Sequence, residues 1–310
     1  MPLARGPIWS LCAAFALAAC AQRQTVPAAD SHAGHDMGAS ATAANSAAAP
    51  SSDTSLPADA ESATARLAAS PRHGEWVTIP VGGGDSVRAW VVYPERSTKA
   101  PVVLVIHEIF GLTTWVRAVA DQLAAEGFIA IAPDFLTGKR LPMAPDAFLT
   151  APGGVDSARV LISSLDPAQF VRRVDAAARY GTSLPAATDK WGVVGFCWGG
   201  SMTYLTAASF PTLSAAVPYY GGVNPKQIDL TKTKAAVLGL YGGNDARVNM
   251  TIPTADSALR IAGATFDKQI FPGAGHGFLR QQSGQDGANA AATRAAWPRT
   301  VEWFRKYLGA

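Results

Sequence analysis

From about residue 74 to the end of the chain, short apolar runs alternate with longer amphipathic stretches. Residues 75–79 and 86–93, rich in strand-forming residues and joined by the glycine turn Gly82-Gly83-Gly84, predict two strands that open the sheet antiparallel. Residues 101–106, PVVLVI, are continuously apolar, the pattern of a central strand buried on both faces. Thr113 or Thr114 can cap a helix running to about Glu126, and Gly127 ends it. Residues 128–132 predict the next strand, closed by Pro133 and Asp134. The stretch 136–154 carries Gly and Pro throughout and predicts a long irregular loop, a feature often tied to function. Helices are predicted over 155–164 and 166–180, the second opening on Asp166-Pro167 as N-cap and first helical residue. A strand ending at Phe196 is followed by a helix to about Ser209. Further strands are expected over 213–220, 235–241 and 265–271, with a helix over 253–262. A closing helix over 287–308 is expected to be interrupted near Pro298. This alternation predicts right-handed βαβ units and a single α/β domain, with a mostly parallel central sheet and helices on both faces.

The first 72 residues read differently. Arg5, the apolar run 8–19 and the small residues before Cys20 form the pattern of a signal peptide over 1–20. Leu17-Ala18-Ala19-Cys20 also resembles a bacterial lipobox. That implies a lipidated Cys20 as mature N-terminus, an exported protein on the periplasmic side and a lipid anchor in a membrane. Ala21 in place of aspartate favours the outer membrane. The alternative is ordinary cleavage and release as a soluble protein. Residues 21–72 are rich in Ala, Ser, Thr, Asp and Pro and predict a flexible tether. His32, His35, Asp36 and Met37 within it read as a solvated polar patch rather than a metal site. The folded domain is then expected over 73–310.

Composition narrows the chemistry. A formal net charge of +3 without a basic run gives no reason to expect nucleic acid. Of three cysteines, Cys12 would leave with the signal peptide and Cys20 would be lipidated or lost, so Cys197 stands alone. An exported chain with one leftover cysteine has no disulfide framework and a thiol to be explained.

Cys197 lies in Gly195-Phe196-Cys197-Trp198-Gly199, between a predicted strand and a helix start. This is the context of the G-x-S-x-G nucleophile elbow, with cysteine in the place of serine. A nucleophile on so sharp a turn needs close chain approach, which Gly195 and Gly199 permit. A cysteine nucleophile needs a base, and the base an orienting carboxylate. Asp245 and His276 follow in that order, each just past a predicted strand, so all three groups can meet at one sheet edge. Taken singly, each is equally ordinary turn chemistry; together and in order they point to catalysis. Glu108, at the end of the 101–106 strand, could hold or take the thiol proton, or be a salt-bridged structural residue. The amides of Ile109 and Trp198 occupy the positions of an oxyanion hole.

His107-Glu108-Ile109-Phe110-Gly111, Gly195 to Gly200, Tyr219-Tyr220-Gly221, Gly243-Asn244-Asp245 and His276-Gly277-Phe278 together resemble the dienelactone hydrolase family of α/β-hydrolases, over about residues 74–308. The resemblance implies a Cys197–His276–Asp245 triad, with Glu108 pairing with the resting thiol. It implies hydrolysis of an enol-lactone or small ester through a thioester, without metal or other cofactor. It places Arg280 at the position that grips a substrate carboxylate. The family's second substrate arginine falls among Arg140, Arg159, Arg172 and Arg173. Two other readings remain at this point: a carboxylesterase or thioesterase acting on another small exported substrate, and a non-catalytic ligand-binding lipoprotein that keeps the fold.

Overall fold

A computed structural model describes residues 53–309. The expected signal peptide with Cys20, the polar patch at 32–37 and the tether up to residue 52 lie outside the described residues.

Among the described residues, eight strands stand where the hydrophobic pattern puts them. They are β1 Gly74–Gly82, β2 Asp85–Val92, β3 Ala100–Ile106, β4 Ile129–Asp134, β5 Ala187–Phe196, β6 Ala215–Tyr219, β7 Ala236–Gly242 and β8 Phe266–Phe271. They form one sheet in the order β1-β2-β4-β3-β5-β6-β7-β8. β1 and β2 pair antiparallel, as do β2 and β4, and every other pairing is parallel. The helices are α1 Ala63–Ala68, α2 Thr114–Ala125, α3 Gly154–Ser163, α4 Pro167–Ser183, α5 Trp198–Ser209, α6 Ala246–Asn249, α7 Ile252–Ala262 and α8 Ala288–Leu308.

β3 is buried along its whole length, and its alternation divides the core. Val103 and Val105 pack with side chains of α2 and α8 on one face. Val102, Leu104 and Ile106 pack with α4, α5 and α7 on the other. Each such side chain adds about 2 kcal/mol of burial, so the central strands are the rigid frame on which the strand ends are carried.

Three details depart from the sequence reading. The tether expected to reach residue 72 gives way to packed structure well before it. Leu56, Ala58 and Ala63 are buried against the α2–α8 layer. Ser70 and Arg72 both donate to the Asp121 carboxylate, Arg72 Nη2 at 2.6 Å. Leu56 and Leu67 are nearly its only large apolar side chains, so hydropathy misses it; small-residue fit and hydrogen bonds hold much of it. The loop 136–154 contains a 3-10 turn, Pro145–Leu149, that buries Phe148. And α8 runs through Pro298 without interruption. The proline removes one backbone bond, but Ala296, Trp297, Val301 and Phe304 are buried on either side of it and keep the helix seated.

Candidate active site

The turn from β5 into α5 holds Cys197 at φ +58°, a backbone region that non-glycine residues rarely occupy. Its neighbours explain how the turn fits. A Cβ at Gly199 would overlap the carbonyl oxygens of Ile106 and His107, and one at Gly195 the Gly199 carbonyl and the Thr203 hydroxyl. The elbow is therefore pressed directly onto the carboxyl end of β3, which brings the His107-Glu108-Ile109 turn beside the sulfur.

His107 fixes that turn. It is fully buried, and its Nε2 accepts from the Phe135 N–H at 3.1 Å. Nδ1 therefore carries the proton and donates to the Glu108 carbonyl at 2.6 Å. Burial pushes its pKa down, so the ring is neutral. The ring stacks on Trp198 with centroids 5.5 Å apart. The Ile109 and Trp198 amides, the expected oxyanion donors, make no hydrogen bond among the described residues, and both residues line the same cavity.

His276 stands in the loop after β8. Its Nδ1 lies 2.5 Å from Asp245 Oδ2. Asp245 is buried just past β7 and also accepts from the Val248 N–H, capping α6. Burial, the largest influence, pulls the His276 pKa down. The hydrogen bond His276 donates to Asp245, and then the Cys197 sulfur facing the ring, outweigh it and raise the value to about 10. Tyr220 meets the His276 ring edge-on at 5.1 Å. It is fully buried at φ +38°, and its hydroxyl has no hydrogen-bond partner among the described residues.

Glu108, also buried, accepts from Arg280 Nε at 2.6 Å. The carboxylate expected to pair with the resting thiol is thus held by the arginine expected to pair with substrate. Only the Nε of Arg280 is engaged this way among the described residues, and its guanidinium lies over the Phe110 ring.

These groups share one cavity of about 490 Å³, lined by Glu108, Cys197, Trp198, Tyr220, His276 and Arg280 among others. A family profile for the dienelactone hydrolase family matches residues 87–308. A Salmonella typhimurium protein named "Putative carboxymethylenebutenolidase" is 34% identical over 239 residues, spanning 73% of this chain and 85% of that protein. Its Escherichia coli K12 namesake is 34% identical over 239 residues, 73% of this chain and 84% of that protein. The crystal structure of a "Putative Dienelactone Hydrolase" from Klebsiella pneumoniae superposes with a TM-score of 0.66 at 30% identity, covering 76% of this chain and 99% of that one.

The chain belongs to the dienelactone hydrolase family. It is a hydrolase of the α/β-hydrolase fold, as the strand order and the motifs led one to expect. The structure brings Cys197, His276, Asp245, Glu108, Ile109, Trp198 and Arg280 to one end of the sheet, where the parallel strands finish. It also separates the four arginines left open by the sequence. Arg159 on α3 lines the cavity. Arg173 does not: it is buried, pairs with Asp85 at 2.7 Å and donates to the carbonyls of Phe135 and Thr137. Arg140 and Arg172 do not line the cavity either. Arg247, which the sequence reading passed over, does. Its position two residues after Asp245, at a strand end, was the available signal.

Proposed function

We propose that this chain hydrolyses an enol-lactone or small ester by covalent catalysis at Cys197. With a pKa near 10, His276 is an imidazolium at neutral pH, held by Asp245. The thiolate is the nucleophilic form, and His276 is the group beside the sulfur that holds the proton. The thiolate attacks the carbonyl carbon, and the Ile109 and Trp198 amides receive the developing oxyanion, each donor contributing about 3 kcal/mol. As the ring or ester C–O bond breaks, His276 gives its proton to the leaving oxygen. The thioester that remains is attacked by water, whose proton His276 takes, releasing the acid and restoring the thiolate beside the imidazolium. Arg280, with the exposed Arg159 and Arg247 also lining it, makes the cavity suited to a carboxylated substrate.

The observation that carries this reading is the elbow cysteine, at φ +58°, facing a histidine that is itself 2.5 Å from a buried carboxylate. The test is hydrolysis of p-nitrophenyl acetate and of a dienelactone by the purified chain beside Cys197→Ala. Turnover by wild type alone supports the proposal. Equal background rates on both, and on a wider ester panel, would return the ligand-binding reading. Export and lipidation at Cys20 belong to the same proposal, on the sequence pattern alone. The mass of the N-terminal peptide of the mature protein decides between a lipidated Cys20 and simple cleavage.

A further inference from the structure

The loop from β8 to α8 carries both His276 and Arg280, and between Phe271 and Gln285 it has no regular secondary structure. On one side it borders the substrate cavity. On the other it borders a second space of about 410 Å³, whose far wall includes Asp59, Ala60 and Glu61; His276 and Arg280 line both. The loop is thus a partition, and the N-terminal segment is what stands behind it.

That segment is tied to the loop by directional bonds. The Ala60 N–H donates to the Arg280 carbonyl at 2.9 Å. The buried Gln282 side chain donates to the Pro57 carbonyl at 2.9 Å. The segment is in turn fixed to the body of the fold. The Trp115 indole donates to the Ala58 carbonyl at 3.0 Å, and Arg66 gathers the carbonyls of Asp53, Thr54 and Leu56 and the Gln122 side chain. Leu56 and Ala58 are buried in the same cluster as Phe278 and Leu279 of the loop. The segment itself, residues 53–72, lies before residue 87, where the family match begins.

We propose that residues 56–60 form a strap that positions Arg280, so that affinity for a carboxylated substrate depends on a segment making no contact with that substrate. The reasoning rests on Arg280 being the carboxylate ligand, as set out above. Two anchors define that guanidinium: Glu108 holds its Nε, and the strap holds its backbone. A bidentate fork tolerates little misorientation. Loss of the backbone anchor therefore acts on binding of the anion and leaves the chemistry at Cys197 alone.

The test uses the full chain and two p-nitrophenyl esters, the neutral acetate and the carboxylated hemisuccinate. Ala60→Pro deletes the N–H that Arg280 accepts from; Gln282→Leu deletes the second tie from the loop side and serves if the proline variant does not fold. Each is expected to raise KM for the hemisuccinate roughly five- to tenfold, the loss of about one hydrogen bond. Its kcat and both constants for the acetate should stay near wild type. Arg280→Ala separates the two levels of the argument. If it leaves the hemisuccinate preference intact, the assignment of Arg280 to the carboxylate fails, and the strap's role with it. If it abolishes the preference while Ala60→Pro and Gln282→Leu retain it, the strap proposal is overturned and the Arg280 assignment stands. Equal loss of kcat on both esters together with a lowered melting temperature shows a merely structural strap and also overturns the proposal.

Discussion

Tyr219 and Tyr220 offer a matched pair on which the energetics can be tested. Both are fully buried neighbours. The Tyr219 hydroxyl bonds the Thr300 hydroxyl at 2.7 Å, whereas the Tyr220 hydroxyl has no partner among the described residues. Removing a buried, bonded hydroxyl leaves its partner wanting and costs about 1 kcal/mol or more. Removing a buried, unbonded one relieves a desolvation penalty of about 1–3 kcal/mol. A small void left behind returns some of this, so the net gain is about 1 kcal/mol. Neither change touches the ring, and the positive φ of Tyr220 is retained. Tyr219→Phe should therefore lower the melting temperature and Tyr220→Phe raise it, each by roughly 2–4 °C for a domain of this size. Urea unfolding at unchanged m would confirm that stability moved and not compactness. A Tyr220→Phe variant less stable than wild type would refute the reasoning, because it would mean the hydroxyl is satisfied in solution. The stored cost has a functional logic: an unpaired polar group at a cavity wall beside His276 is available to a ligand.

Gly199→Ala should destabilise by about 1–3 kcal/mol or prevent folding, since the added methyl group meets two backbone carbonyls at the end of β3; denaturant midpoints of Gly199→Ala and of Gly263→Ala, whose site is sterically open though at φ +66°, separate crowding from backbone strain. Arg173→Met should cost about 2–4 kcal/mol in urea unfolding, because the Asp85 carboxylate and the carbonyls of Phe135 and Thr137 lose their donor together. The His276 pKa is raised from 6.5 to about 10, so its protonated form stabilises the fold fully below about pH 6.5 and this contribution is lost as pH rises towards 10. The gap in melting temperature between wild type and Asp245→Asn should accordingly be widest near pH 6 and close through that window; a gap that widens with pH would contradict the His276–Asp245 coupling.

Much of this molecule is written in short-range pattern. A strand such as PVVLVI has only one comfortable place in an α/β fold, the middle of the sheet, and from that placement the positions of Glu108 and Ile109 follow. The elbow was equally legible, because Gly195 and Gly199 are required by contacts the turn itself creates. What escaped the pattern are interactions between polar groups far apart in sequence. Glu108 and Arg280 are separated by the rest of the domain, and no local signal says that they pair with each other. Residues 53–72 read as tether because their order rests on backbone carbonyls caught by Arg66, Trp115 and Gln282, and hydropathy has no access to such bonds. Pro298 read as a break because propensity counts the lost bond and not the buried face around it.

The account turns on Cys197 forming a covalent acyl intermediate, and intact-mass spectrometry of the chain quenched shortly after mixing with p-nitrophenyl acetate tests that directly. The account predicts that wild type gains the mass of one acetyl group, mapped to the peptide bearing Cys197, that the adduct clears as hydrolysis proceeds, and that Cys197→Ala gains nothing at that peptide. Turnover of the ester with no adduct on Cys197 at any quench time, and equally rapid turnover by Cys197→Ala, would contradict it.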